Sequence, residues 1–138
     1  MRNLIPVLLI LFVSCSNPAP QNITEQIEQH IAEDNYEEAL ELVKNADAQQ
    51  SEADLQLLKE KIHLNYGIYL EYRGPEESSM RDRMTSALHQ YIEVLKINPE
   101  NDKARAEIEQ IMGIYSTIPD RSPGEDILKE LRALGFEY

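Results

Sequence analysis

The stretch at 87–99, ALHQYIEVLKINP, restricts most what this chain can fold into. From the small residue Ala87, an aromatic (Tyr91) follows after four positions, an aliphatic (Val94) after three more and a proline (Pro99) after five more. Offsets of three and four return to one helical face, where a small residue admits a neighbouring helix and an aromatic fills the space beside it. The proline then stops the helix, because it lacks an N–H and its ring clashes with the preceding turn. This is the pattern of the second half of a packed helical hairpin.

The same periodicity runs outward in both directions. Asn22 or Thr24 can cap a first helix whose buried face is Ile23, Ile27 and Ile31, with Glu25 completing a capping box with Asn22; it should end around Asp34 and Asn35. Tyr36, Ala39, Leu40, Val43 and Ala46 restart the period and form its antiparallel partner. Ser51, with Asp54 three residues on, caps a longer helix that runs through Leu55, Leu58, Ile62, Tyr66 (or Asn65), Tyr69 and Tyr72 to a stop at Gly74-Pro75. Gly67 inside it suggests the close approach of a neighbouring helix backbone. A polar loop at 75–80 precedes the helix of the opening stretch, which should start at Arg81 or Asp82. A fifth helix is expected over 102–115. Ser122-Pro123-Gly124-Glu125 reads as cap, first residue and third residue of a sixth, which stops at Gly135. The expectation is therefore an all-α fold of about six helices in antiparallel hairpins, within one domain over 22–138.

Charge narrows the class of partner. There are 25 Asp+Glu against 13 Lys+Arg, a formal net charge of −12, with no basic run. Binding a phosphate backbone needs a clustered positive face, so no nucleic acid is expected, and the acidity reads as a solvated helical surface.

The first residues belong to a different physical regime. In MRNLIPVLLILFVS (1–14), Arg2 is the one charge and an apolar run at 4–13 follows, too short to span a hydrocarbon core of about 30 Å as a helix. A positive start, an apolar middle and a small residue before the cleavage point mark a secretory signal. Its end, Phe12-Val13-Ser14-Cys15, resembles the lipobox of bacterial lipoproteins, although Phe12 stands where leucine is usual. The resemblance implies cleavage before Cys15 and acylation of its thiol. Cys15 is the only cysteine, so it has no disulfide partner within the chain. Ser16 after the cysteine leans towards an outer-membrane location, and SNPAPQ completes a short tether at 15–21.

The offsets of the opening stretch resemble a tetratricopeptide repeat, a helical hairpin that stacks into a superhelix. Ala87 matches the family's small residue, Tyr91 its aromatic and Pro99 its terminal proline, while Val94 replaces a usual alanine. Gly67 matches the glycine of the first helix, but about eight extra residues separate it from Ala87, around Gly74 to Arg81. Upstream, Asp34 stands in place of the common glycine, Tyr36 and Ala39 match the aromatic and small residues, and Ser51 replaces the proline. Asn101 onward resembles the first helix of a third, degenerate repeat. The resemblance implies a short α-solenoid with a groove that binds a protein or peptide partner.

No catalytic constellation is visible, and no metal or cofactor is expected. Glu60 and His63 share a helical face, but no second Glu-x-x-His exists to complete a di-metal set. His30 and His89 have no neighbouring ligands. The tyrosines read first as core and groove-edge packing. The functional alternative is that Tyr69 and Tyr72, with Asn65 beside them, line a partner-binding surface, since Tyr offers apolar area and a polar tip. The expected role is a membrane-anchored scaffold or adaptor in the bacterial cell envelope. The alternative is a structural subunit of an envelope assembly whose stack another chain completes.

Overall fold

A computed structural model describes residues 22–46, 50–119 and 121–138. The leader at 1–14, the acylation at Cys15 and the tether at 15–21 lie outside the described residues. Within these, the regular structure is wholly helical: α1 (Ile23–Ala32), α2 (Tyr36–Lys44), α3 (Glu52–Tyr72), α4 (Met80–Ile97), α5 (Asp102–Thr117) and α6 (Glu125–Ala133).

The caps follow the polar residues that the sequence offers. Asn22 Oδ1 accepts the N–H of Glu25 at 3.1 Å, Ser51 Oγ that of Asp54 at 3.1 Å, and Asn101 Oδ1 that of Ala104 at 2.9 Å. Each satisfies an N–H that has no partner within its own helix. Two starts differ from expectation. α4 begins at Met80, inside the expected loop, because Ser79 Oγ accepts the N–H of Asp82 and starts the helix one or two residues early. α6 begins at Glu125 with Gly124 as its cap, since Ser122 Oγ is occupied with the N–H of Gly124 at 3.1 Å.

The ends of α1, α3 and α6 are closed by left-handed residues, Asp34, Gly74 and Gly135. Asp34, in the position that resembles the common glycine of the repeat, has φ 59°, and the N–H of Asn35 reaches back to the His30 carbonyl at 2.8 Å. At the end of α6, Gly135 has φ 90°. The Phe136 N–H bonds the Leu131 carbonyl and the Gly135 N–H that of Arg132, which is a Schellman closure. That closure turns Phe136 back into the core, where it is buried.

Two apolar clusters share α3 as their wall. Ile27, Tyr36, Ala39, Val43, Leu58 and Ile62 form the smaller one, from α1, α2 and the first half of α3. The larger one joins Leu70 of α3 to the inner faces of α4, α5 and α6. Because α3 meets neighbours on both sides, its apolar residues are spread round its circumference instead of forming one stripe. Tyr66 and Tyr69 pack against both clusters. Packing proceeds from neighbour to neighbour: α1 and α2 against each other and against α3, α3 against α4, and α4 against both α5 and α6.

The approach at Gly67 is made by a ring and not by a backbone. A Cβ built on Gly67 would lie 2.5 Å from Tyr91 Cε1 and 2.8 Å from Cδ1, and Tyr91 is fully buried. The residues between Gly67 and Ala87 are divided among a further turn of α3, the link 73–79 and two turns of α4, so the contact survives the longer spacing. The link itself is pinned: Arg83 Nη1 donates to the Arg73 carbonyl at 2.8 Å, and Arg73 pairs with Asp34 at 2.7 Å.

Gly113 gives the opposite case, a glycine in mid-helix at which a Cβ would meet nothing within 4 Å. Gly67→Ala should therefore lower stability by about 1–3 kcal/mol through overpacking against Tyr91. Gly113→Ala should raise it by up to about 1 kcal/mol through helix propensity alone. Urea unfolding of the two variants checks both signs, and a Gly67→Ala chain as stable as the parent would show that Tyr91 can move aside.

Candidate functional site

The three residues expected to line a partner surface lie on one side of α3 but face different neighbours. Asn65 donates its amide to the Lys61 carbonyl of its own helix at 2.8 Å. Tyr69 is partly buried at the seam with α2, its ring centroid 5.5 Å from that of Tyr36, and the Arg73 guanidinium lies 5.1 Å above it. Tyr66 stacks on the same Tyr36 ring at 4.9 Å. Tyr36 in turn donates to Asp34 at 3.0 Å, and burial together with that carboxylate pushes its hydroxyl up to about 12. This aromatic cluster closes the first hairpin onto α3.

Tyr72 turns the other way, towards α5, and its residue surface is 55% exposed. Its hydroxyl donates to Glu107 Oε2 at 2.9 Å and accepts from the Gln110 amide at 2.8 Å. Gln110 also donates to Glu71 Oε1 at 2.8 Å, and Glu71 Oε2 accepts the buried Tyr91 hydroxyl at 2.8 Å. Lys103 pairs with Glu107 one turn away on α5. A chain of hydrogen bonds thus runs from the core ring of Tyr91 through Glu71, Gln110 and Tyr72 to Glu107 and Lys103, tying α3, α4 and α5 together. Donor and acceptor alternate along it, and each carboxylate oxygen in it has a donor.

Burial and proximity set the protonation behaviour. Glu71 is held above the usual carboxylate range, first by burial, with the hydrogen bonds from Tyr91 and Gln110 opposing. The Tyr91 hydroxyl is pushed far up by burial and by its carboxylate acceptor, so it remains a donor. Tyr72 is raised by burial despite the bond from Gln110. Lys103 is raised by its bond to Glu107 and stays charged. With its hydroxyls protonated and its carboxylates occupied, the chain of bonds holds helices in register and offers no free nucleophile.

Glu71, Glu107, Gln110 and Lys103 were not singled out from sequence. One signal was there for Glu107: it lies between Ala104 and Ile111 on the buried stripe of α5 and is only 3% exposed. Glu60 and His63 separate to different partners. Glu60 is part-buried, and its Oε1 accepts from Asn98 at 2.8 Å and Asn101 at 2.7 Å at the α4–α5 turn. His63 Nδ1 lies 2.8 Å from Gln90 Oε1. Among the described residues no group of three or more His, Cys, Asp or Glu is placed to hold a metal ion, and no helix is long and apolar enough to cross a membrane.

Compared with family models, with curated proteins and with solved structures, the chain matches none.

The raised carboxyl of Glu71 has a thermodynamic sign. The folded state keeps that proton at pH values where the unfolded chain has released it, so stability falls as pH rises from about the ordinary value of 4.5 through the higher folded value. Glu71→Gln cannot titrate. The stability of the parent relative to this variant should therefore decrease with pH above about 4.5, and parallel unfolding curves across the window would refute the assignment.

Proposed function

We propose that this chain is a lipid-anchored scaffold or adaptor of the bacterial cell envelope, its helices stacked as a short tetratricopeptide-like solenoid that holds a protein or peptide partner. The observation that carries the reading is the order of packing. The first hairpin rests on α3 with both of its helices, and α4 of the second rests on α5, as a stack of repeats requires, while α6 packs back on α4. The ring of Tyr91 seated on Gly67 supports the same view, because it is the small-to-aromatic fit that the repeat pattern encodes. The anchor rests on sequence alone: a sole cysteine, Cys15, directly after a secretory apolar run. Several acyl chains there would make attachment effectively permanent, each buried methylene contributing about 0.8 kcal/mol. Ser16 favours the outer membrane. The role asked of the chain is scaffolding, with no enzyme activity, cofactor, metal or nucleic acid.

The partner surface in this reading centres on Tyr72 and its α5 neighbours, with Tyr69 and Asn65 along the same side of α3. A second reading, a structural subunit whose stack a partner chain completes, is favoured by one feature. α5 and α6 leave an open cleft at the end of the stack.

Cys15→Ala should abolish fatty-acid labelling of the protein, and labelling that survives it would refute the lipobox assignment. Replacing Tyr69 and Tyr72 together by Ala should abolish partner capture from the native membrane while the helical content is retained. Capture at the parental level would remove those residues from the binding surface.

A further inference from the structure

The end of the stack is unfinished. A cleft of about 380 Å3 runs along the outer side of α5, with Met112, Gly113 and Tyr115 on that helix, Leu128 on α6 and Tyr138 at the chain end among its walls. A second hollow of about 230 Å3 shares Tyr115 and Arg121 with it and reaches Met80 and Met84 of α4 and Ile118. Met80 is 63% exposed, and Ile118 and Tyr138 are also open to solvent. Of the three methionines along the two hollows Met80 alone is exposed, Met84 and Met112 being buried behind the surface, and its flexible side chain can adapt to a docked helix.

Gly113 is the second sign. Neither its backbone nor any neighbour requires a glycine, since a Cβ there would meet nothing within 4 Å and its φ is not positive. The helix carries this poor helix former on the floor of the cleft, where it leaves space for atoms from outside the chain.

Charge gives the third. On a chain of net charge −12, Lys44, Lys61, Arg73, Lys96, Lys103 and Arg132 each meet a carboxylate. Arg121 lines both hollows, and among the described residues its side chain, like those of Lys59 and Lys129, has no ion pair or hydrogen bond; of these three it is the one that lines the cleft. Arg81 beside it donates only to the Ser122 carbonyl at 3.3 Å. Among the described residues that line the larger cleft the one carboxylate side chain, Glu109, lies a helical turn before Gly113, towards the opposite end from Arg121. The cleft therefore has an apolar floor, a cationic end and an acidic end.

We propose that this cleft seats an amphipathic helix of a partner protein, its apolar face on Met112, Gly113 and Leu128 and a carboxylate at the end that meets Arg81 and Arg121. The proposal deepens the second reading above, the partner-completed stack, and rests on it. A second copy of the chain is a poor occupant, because the apolar faces of its described helices are already taken up by the two clusters.

The test is an NMR titration of the full chain with two designed helical peptides of about four turns. Both carry leucine at the i, i+3, i+4 and i+7 positions, one with glutamates flanking that face and the other with lysines. The glutamate peptide should shift the amide signals of Met112, Gly113, Ser116, Arg121 and Leu128, and the lysine peptide should bind at least about tenfold more weakly. Gly113→Trp should fill the floor and remove the shifts without lowering the melting temperature, and Arg121→Glu should reverse the order of the two peptides. The proposal is overturned if those signals do not move, if the peptides bind equally or if Gly113→Trp binds undiminished. It is also overturned if sedimentation shows a dimer of the parent that Gly113→Trp abolishes, which would give the cleft to a second copy. A failed titration with intact labelling of Cys15 and intact partner capture condemns the cleft alone and leaves the anchored scaffold standing.

Discussion

The contact between the Tyr91 ring and Gly67 sets the geometry from which the other helix positions follow. A ring lying against a bare backbone brings α3 and α4 closer than any side chain at 67 would allow, and Ala87 one turn earlier keeps the facing surface equally shallow. The hydroxyl at the far end of that ring then has to find an acceptor, because a buried donor left alone costs about 1–3 kcal/mol. Glu71 supplies it, and Glu71 in turn holds Gln110 of α5. One aromatic residue thereby fixes the separation of two helices and, through its polar tip, the placement of a third.

α3 is the second organising element. It is the longest helix, and both apolar clusters end on it. Besides its packing on α4, it makes two seams that differ in kind. Towards α2 the contact is aromatic, with Tyr36, Tyr66 and Tyr69 packed together; towards α5 it is a run of hydrogen bonds through Tyr72, Gln110 and Glu107. The remaining ion pairs are mostly exposed and contribute little each, so the clusters and these two seams hold the fold.

Much of this was legible in the chain. Six helices, their order, the caps at Asn22 and Ser51 and the end of the first helix close to Asp34 follow from local rules that need only a few adjacent residues. Two helix starts were misplaced. Ser79, not singled out, caps α4, and Ser122 closes a turn before α6 instead of capping it. The tyrosines show a deeper limit. Their three-residue recurrence placed Tyr69 and Tyr72 on one side of α3, but their surroundings depend on α2 and α5, which are remote in sequence. The same holds for Glu107, whose burial depends on donors from Tyr72 and Lys103. The close approach at Gly67 was anticipated, but its agent, a ring and not a backbone, comes from a helix on the far side of a longer link.

The sharing of α3 between a small and a large cluster has a consequence for how the molecule opens. The first hairpin buries its apolar face only against α3, whereas α3 is also held by α4 and the larger cluster. Local opening therefore starts with α1 and α2 detaching as a unit, while α3 remains folded on the other side. The species so formed is not a disordered chain. It is a nearly complete bundle with one wall stripped bare, showing Leu58, Ile62 and the Tyr66 ring to solvent, and so the first place where this protein would stick to a neighbour when stressed.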